Sequence, residues 1–328
     1  MMKITELDKL TYYQNKPADG RAIMLLGFLE NGEFRQPFQD GDKIVILKPT
    51  GALKATYLAK EPADPDIDLH IPLVELLIQR LSFPQVVSII PSIESDILNF
   101  GAILEKYELI FRNGRKPLST DLIATELEFL FYNVRSLYDR LQRIIKDIWD
   151  KTALSDKQIK KRQLKDSFRD VVLFGQDDQI RSAEEISKKF GLPDPLANFY
   201  KEQGSFFKLC RAVRDDMAHY GKSFSDQPIY CLNGGFAVDV TMDPYSKFDC
   251  WSAELLRNNN LGSVRALIAH IANQAILATS TYVEALLSCI NLPEPIGPDW
   301  HVYVRHPHAT HLHYLKTYIN APWIDEVG

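Results

Sequence analysis

The clearest chemistry in this sequence sits between residues 211 and 221. Arg214 is followed directly by Asp215 and, after four intervening residues, by His219, in the run Arg211-Ala-Val-Arg214-Asp215-Asp216-Met217-Ala218-His219-Tyr220-Gly221. An imidazole titrates nearest neutrality, so it can take or give a proton at physiological pH. A guanidinium stays charged and planar, suited to holding a phosphate and to stabilising charge as an attack develops. At the close of a helix the carbonyl dipoles favour a protonated His219, and Asp215 and Asp216, four and three residues earlier, push the same way. Residues five apart on one helix differ by about 140° in azimuth and roughly 7.5 Å along the axis, so one copy does not easily hold both groups on one reacting centre. Two antiparallel copies would. The plainer alternative is an Arg214 paired with a carboxylate and a His219 that caps a helix end.

Spacing alone is weak, since chance supplies on the order of one such match in a chain of this composition. Arg265 and His270 also stand four residues apart, but Ala266 follows the arginine and the pair lies in an apolar helical run. Arg305 and His311 have five residues between them, in a segment broken by Pro307. Only Arg214 and His219 combine an acidic follower with a helix end. Arg211, one turn before Asp215, is a secondary candidate for substrate contact.

Two other groups could take part in chemistry. Lys157, Lys160, Lys161, Arg162, Lys165 and Arg169 form the one dense basic run, with Phe168 as the only aromatic among them. Lys160, Lys161 and Arg162 are the candidates for tracking a nucleic-acid backbone, against the plainer reading of a solvated face. Five of the eight histidines (His301, His306, His308, His311 and His313) crowd the C-terminal stretch. His-x-His on a strand puts both rings on one side, a spacing that can ligate a transition metal, but no cysteine lies near and Pro307 disrupts regular structure. No metal and no cofactor is therefore expected.

These side chains need helices to position them. Helical periodicity begins near Pro72 and resumes after Ser92, through Ile93, Ile97, Phe100, Leu104, Tyr107 and Phe111. The next helix, with Ser119 or Thr120 as its cap, carries the stripe Leu127, Leu130, Val134, Leu137, Leu141, Ile144 and Ile148. Its other face (Glu128, Tyr132, Arg135, Asp139, Gln142, Lys146) reads as solvated. A second long helix runs from Asp194 to Tyr220, broken or kinked near Gly204 and capped at Gly221, and a third from Leu261 to Ile290. Between them Asn233-Gly234-Gly235 marks a hairpin. Residues 21–59 carry strand signals, and Glu61–Asp68, with two prolines and four acidic residues, reads as a linker. The expected organisation is a small β-rich unit at 1–66, a helical connection at 67–118, a helical bundle at 119–292 with a hairpin inserted at 227–243, and a histidine-rich tail at 293–328.

The 328-residue chain is 45% hydrophobic and 25% charged with a net charge of -5, which predicts a packed core and excludes binding by bulk positive charge. The N-terminal residues lack the apolar core of a signal peptide, and four unpaired cysteines fit reduced thiols, so a cytoplasmic protein with no membrane association is expected. No phosphate-binding glycine loop, GxSxG elbow or HExxH pair occurs.

Arg214, its acidic follower and His219 at the end of a long helix resemble the Arg-x4–6-His motif of the HEPN superfamily. The resemblance covers roughly residues 119–292. It implies a mainly α, HEPN-like helical bundle acting as a homodimer, with two pairs meeting at a shared cleft. It also implies a metal-independent endoribonuclease that leaves 2′,3′-cyclic phosphate ends, from a toxin–antitoxin or antiviral defence setting. RNA would be the substrate and an antitoxin protein a possible cognate partner. Arg214 would hold the phosphate, His219 would transfer the proton and Asp215 would orient one of them. Many HEPN-like domains instead resemble catalytically inactive dimerisation or interaction modules. A third reading is a metal-dependent hydrolase using the histidine-rich tail.

Overall fold

The structure, a computed structural model, describes residues 2–3, 23–24, 28–30, 33–40, 43–47, 54–81, 83–113, 118–220, 224, 227–258 and 260–324, with the backbone alone for 217–220 and, Ile46 excepted, for the strands before residue 54. It is mainly α-helical and divides into two compact units. One comprises residues 1–82 and 293–313, the other residues 83–292 and 314–328.

The first unit contains two antiparallel sheets. Strands at Met2–Lys3, Phe28–Glu30, Glu33–Asp40 and Lys43–Leu47 form one. The other has β1 (Ile23–Met24), β2 (Ala55–Ala59) and β3 (Asp68–His70), and its fourth strand comes from the far end of the chain, residues His301–Arg305. That last strand lies between β2 and β3, with Tyr303 opposite Tyr57 on one side and His70 on the other. Within the expected tail, His301–Arg305 is thus an interior strand of a sheet. The expected linker also ends differently: Asp68 is buried and accepts two hydrogen bonds from Arg305, at 2.7 and 2.8 Å, and another from the Tyr57 hydroxyl. Of its four acidic residues, Asp68 forms a buried ion pair. Helix α1 (Pro72–Arg80) follows with Pro72 in its first turn, where a missing N–H costs nothing.

The second unit is built on four long helices: α2 (Ile90–Arg112), α3 (Ser119–Trp149), α4 (Asp194–Tyr220) and α5 (Val264–Cys289). α2 packs on both α3 and α5, so it belongs to the bundle and is not a connector. A buried Asp96 on α2 accepts from Arg140 at 2.5 Å and Ser136 at 3.0 Å on α3, and Asn133 donates to the Asp96 carbonyl at 2.6 Å. Phe168 is fully buried and central to the aromatic core, its ring 4.8 Å from both Tyr138 and Phe207 and 5.0 Å from Tyr200. It serves packing, not base stacking.

Several boundaries differ from those the sequence predicts. The first residue before α3 is Leu118, with no side-chain cap, and Ser119 is already buried inside the helix. Gln142 lies in the core and not on a solvated face: its amide donates to the Lys165 carbonyl at 2.7 Å and accepts from the Tyr200 hydroxyl at 2.6 Å. Residues 261–263 form a strand against Gly235–Asp239, and α5 begins only after Ser263, whose hydroxyl accepts from the Ala266 amide at 3.4 Å. The strands Ile229–Leu232 and Gly235–Asp239 pair through a two-residue turn at Asn233–Gly234, with φ 88° at Gly234. α4 continues without interruption through Gly204, where a β-carbon would press on Ile180 and Val172. The expected cap at Gly221 lies outside the described residues.

One stretch, Pro84–Arg112, is long and apolar enough to cross a membrane by length and composition, but 61% of its apolar window is buried, so its side chains are spent on the core.

Candidate functional site

Arg214 lies in the penultimate turn of α4 and His219 in the last; the His219 side chain lies outside the described residues. Arg214 is partly buried and pairs with the adjacent Asp215 at 3.1 Å. Its Nε is buried and finds no hydrogen-bond partner among the described residues. Asp215 is held in turn by Arg211, one turn earlier on the same face, at 3.1 Å. Arg211 also pairs with Asp178, which accepts from Arg169 at 2.6 Å. The result is an alternating series of charges, Arg169–Asp178–Arg211–Asp215–Arg214, tying the turn at residues 175–178 to α4. Burial raises the Asp178 carboxyl, but the hydrogen bond from Arg169 and the charges of Arg211 and Arg169 outweigh it, so the group is held below the usual carboxylate range. Arg211 is thereby committed to two carboxylates.

The basic run divides in the same way. Lys161 directs its ammonium at the carbonyls of Trp149 and Thr152 and sits 4.8 Å from the Trp149 ring, closing the C-terminal end of α3. Burial lowers its pKa, opposed by the charge of Asp150. It therefore acts as a helix-capping residue. Lys160 and Arg162 remain exposed. The Arg162 backbone is fixed, with its amide donating to Phe190 at 3.2 Å and its carbonyl accepting from the Trp149 indole at 2.9 Å.

The competing arginines are consumed. Arg265 pairs with Glu108 at 3.2 Å and stacks 3.8 Å from the Tyr318 ring centre, and Arg305 forms the bidentate pair with Asp68. His306 and His308 lie at a turn and His311 and His313 in the short helix Ala309–His313, so neither His-x-His pair shares a strand face.

A second cluster was not anticipated. In the first unit, His70, Glu75 and His301 bring one ligand atom each to within 4.8 Å of one another. His70 Nε2 is 2.9 Å and His301 Nδ1 3.2 Å from the same Glu75 oxygen, which also accepts from the Val302 amide at 3.0 Å. Burial raises the Glu75 carboxyl, but the hydrogen bonds from His70 and Val302 and the two imidazole charges outweigh it and hold it below its ordinary value. His70 ends β3, Glu75 is in the first turn of α1, and His301 begins the central strand. Glu75 and His301 are 226 residues apart in sequence, so no local spacing links them. The signal available was His70 and Glu75 flanking the helix start at Pro72.

No family model, no curated protein and no solved structure matches this chain.

Proposed function

We propose that the bundle is a HEPN-like domain and that the protein is a metal-independent endoribonuclease acting as a homodimer in the cytoplasm. The observation that carries this reading is Arg214 near the end of α4. Among the three motif matches it is the arginine whose ion pair, among the described residues, is with its own chain neighbour alone.

In this mechanism His219 removes the proton from an RNA 2′-hydroxyl, the 2′-oxygen attacks the adjacent phosphorus, and the 5′-oxygen leaves with a proton from an imidazole. Arg214 holds the phosphate and stabilises its added charge, while Asp215 fixes the guanidinium plane. The products end in a 2′,3′-cyclic phosphate. Because Arg214 and His219 diverge by about 140° on one helix, the pair from a second copy completes the cleft. A dimer surface is supported by exposed apolar residues along the first half of α3 and just before it: Leu118, 66% exposed, then Leu122, Phe129 and Tyr132 at helical spacing. Lys160 and Arg162, exposed beside the start of α4 and about 30 Å along that helix from Arg214, would serve as remote contacts for the RNA backbone. A toxin–antitoxin or antiviral role, with a cognate antitoxin, is the biological setting that the resemblance suggests.

The test is to incubate the purified chain with RNA in EDTA and determine the fragment ends. The proposal expects 2′,3′-cyclic phosphates and no cleavage of DNA; cleavage only with added metal would contradict it. A second reading, a catalytically inactive HEPN-like interaction module, is favoured by the charge series that already engages Arg211 and Asp215. It predicts dimerisation without cleavage of any RNA.

A further inference from the structure

We infer that the unit formed by residues 1–82 and 293–313 binds a divalent transition-metal ion between His70, Glu75 and His301, with one coordination position open to solvent. Two imidazoles and a carboxylate suit zinc, whereas calcium and magnesium require sets dominated by oxygen.

The geometry agrees with that donor set. In a tetrahedral zinc site with bonds near 2.0–2.1 Å, donor atoms stand roughly 3.3 Å apart. The His70–Glu75 and Glu75–His301 separations, 2.9 and 3.2 Å, are already close to that value. All three donors lie within 4.8 Å of one another, so the remaining edge is the one that must shorten when the ion binds.

The mounting is equally specific. Each ligand comes from a regular element: the end of β3, the first turn of α1, and the first residue of the strand that pairs with β3. The Val302 amide donates to that same Glu75 oxygen at 3.0 Å and so holds it beside the two imidazoles. The side chains are 40%, 24% and 49% exposed for His70, Glu75 and His301, which leaves one side open for a water or a substrate oxygen. His306, His308, His311 and His313 are not part of the set.

The same distances would also suit a metal-free trio in which a proton sits between an imidazole and the carboxylate. The two states differ in proton release, because a metal must displace those protons. The experiment uses the full chain, stripped with a chelator and titrated with zinc by calorimetry in buffers of different ionisation enthalpy. We expect one equivalent bound with proton release, and a tetrahedral visible spectrum when cobalt is substituted. Outer-shell changes around metals cost about 10–100-fold in affinity, so His70→Ala, Glu75→Gln and His301→Ala should each weaken binding at least that much, and His313→Ala should not. Glu75→Gln keeps an oxygen acceptor for the Val302 amide, so it remains informative if His301→Ala disturbs the strand. Absence of zinc uptake by the wild-type chain, or uptake undiminished in both Glu75→Gln and His70→Ala, would overturn the site.

Discussion

Lys160 and Lys161 are adjacent and do different work. Lys161 turns inward onto the last carbonyls of α3, while Lys160 stays in solvent. Replacing Lys161 with alanine removes a cation from a helix C-terminus and should lower unfolding stability by about 1 kcal/mol, leaving RNA affinity unchanged. Denaturant unfolding and a filter-binding assay check the two halves of that expectation. Lys160→Ala should do the reverse. Nothing in the sequence separates these two lysines, because the distinction depends on where residues 155–167 cross the end of α3. Arg211 is a similar case. Its identity and position were legible, but Asp178, which engages it, lies on a turn with φ 48°, a conformation sequence periodicity does not reveal.

At the level of elements, the four long helices were largely legible because apolar stripes at three- and four-residue steps are what a bundle buries. The missed features are those set by close approach. Gly204 reads as a helix break in isolation, yet it serves to let Ile180 and Val172 pack on α4. Gly191, at φ 64°, ends the helix Ala183–Phe190, and a β-carbon there would overlap the Lys160 carbonyl. Gly191→Ala should therefore cost about 1–3 kcal/mol, measured by chemical denaturation, and should loosen the basic segment. α5 also carries a pH response. Burial holds His270 below its ordinary value of 6.5, opposed by the charge of Asp249. A histidine kept neutral in the fold contributes stability that is fully present above 6.5 and declines as pH falls from there towards its folded value. The variant His270→Gln should flatten that decline in thermal unfolding between neutral and mildly acidic pH.

For the whole molecule, the least legible fact is that residues 293–313 complete the first unit after the chain has built most of the second. A strand at 301–305 pairs with residues near 55 and 70, and such long-range pairing leaves no local trace beyond the alternating Val302 and Val304. Helix Leu315–Asn320 then returns to pack on α5. A chain ending at residue 292 should thus lose an interior strand from one unit and a packed helix from the other. We expect aggregation or loss of cooperative unfolding, whereas a soluble, fully cooperative truncation would contradict the topology. In the dimer the exposed face of α3 is the proposed contact, and Leu122→Lys with Phe129→Lys should shift the sedimentation coefficient to that of a monomer.

The central claim is that Arg214 and His219 do the chemistry on RNA without a metal. It is tested most directly by single-turnover cleavage rates in EDTA for the wild-type chain, Arg214→Ala and His219→Ala, with His313→Ala as a variant outside both the proposed catalytic pair and the proposed RNA contacts. A general acid–base group or a charge-stabilising donor contributes roughly 10²–10⁴-fold, so each of the first two variants should fall at least about a hundredfold while remaining folded. Rates equal to wild type in both would contradict the account.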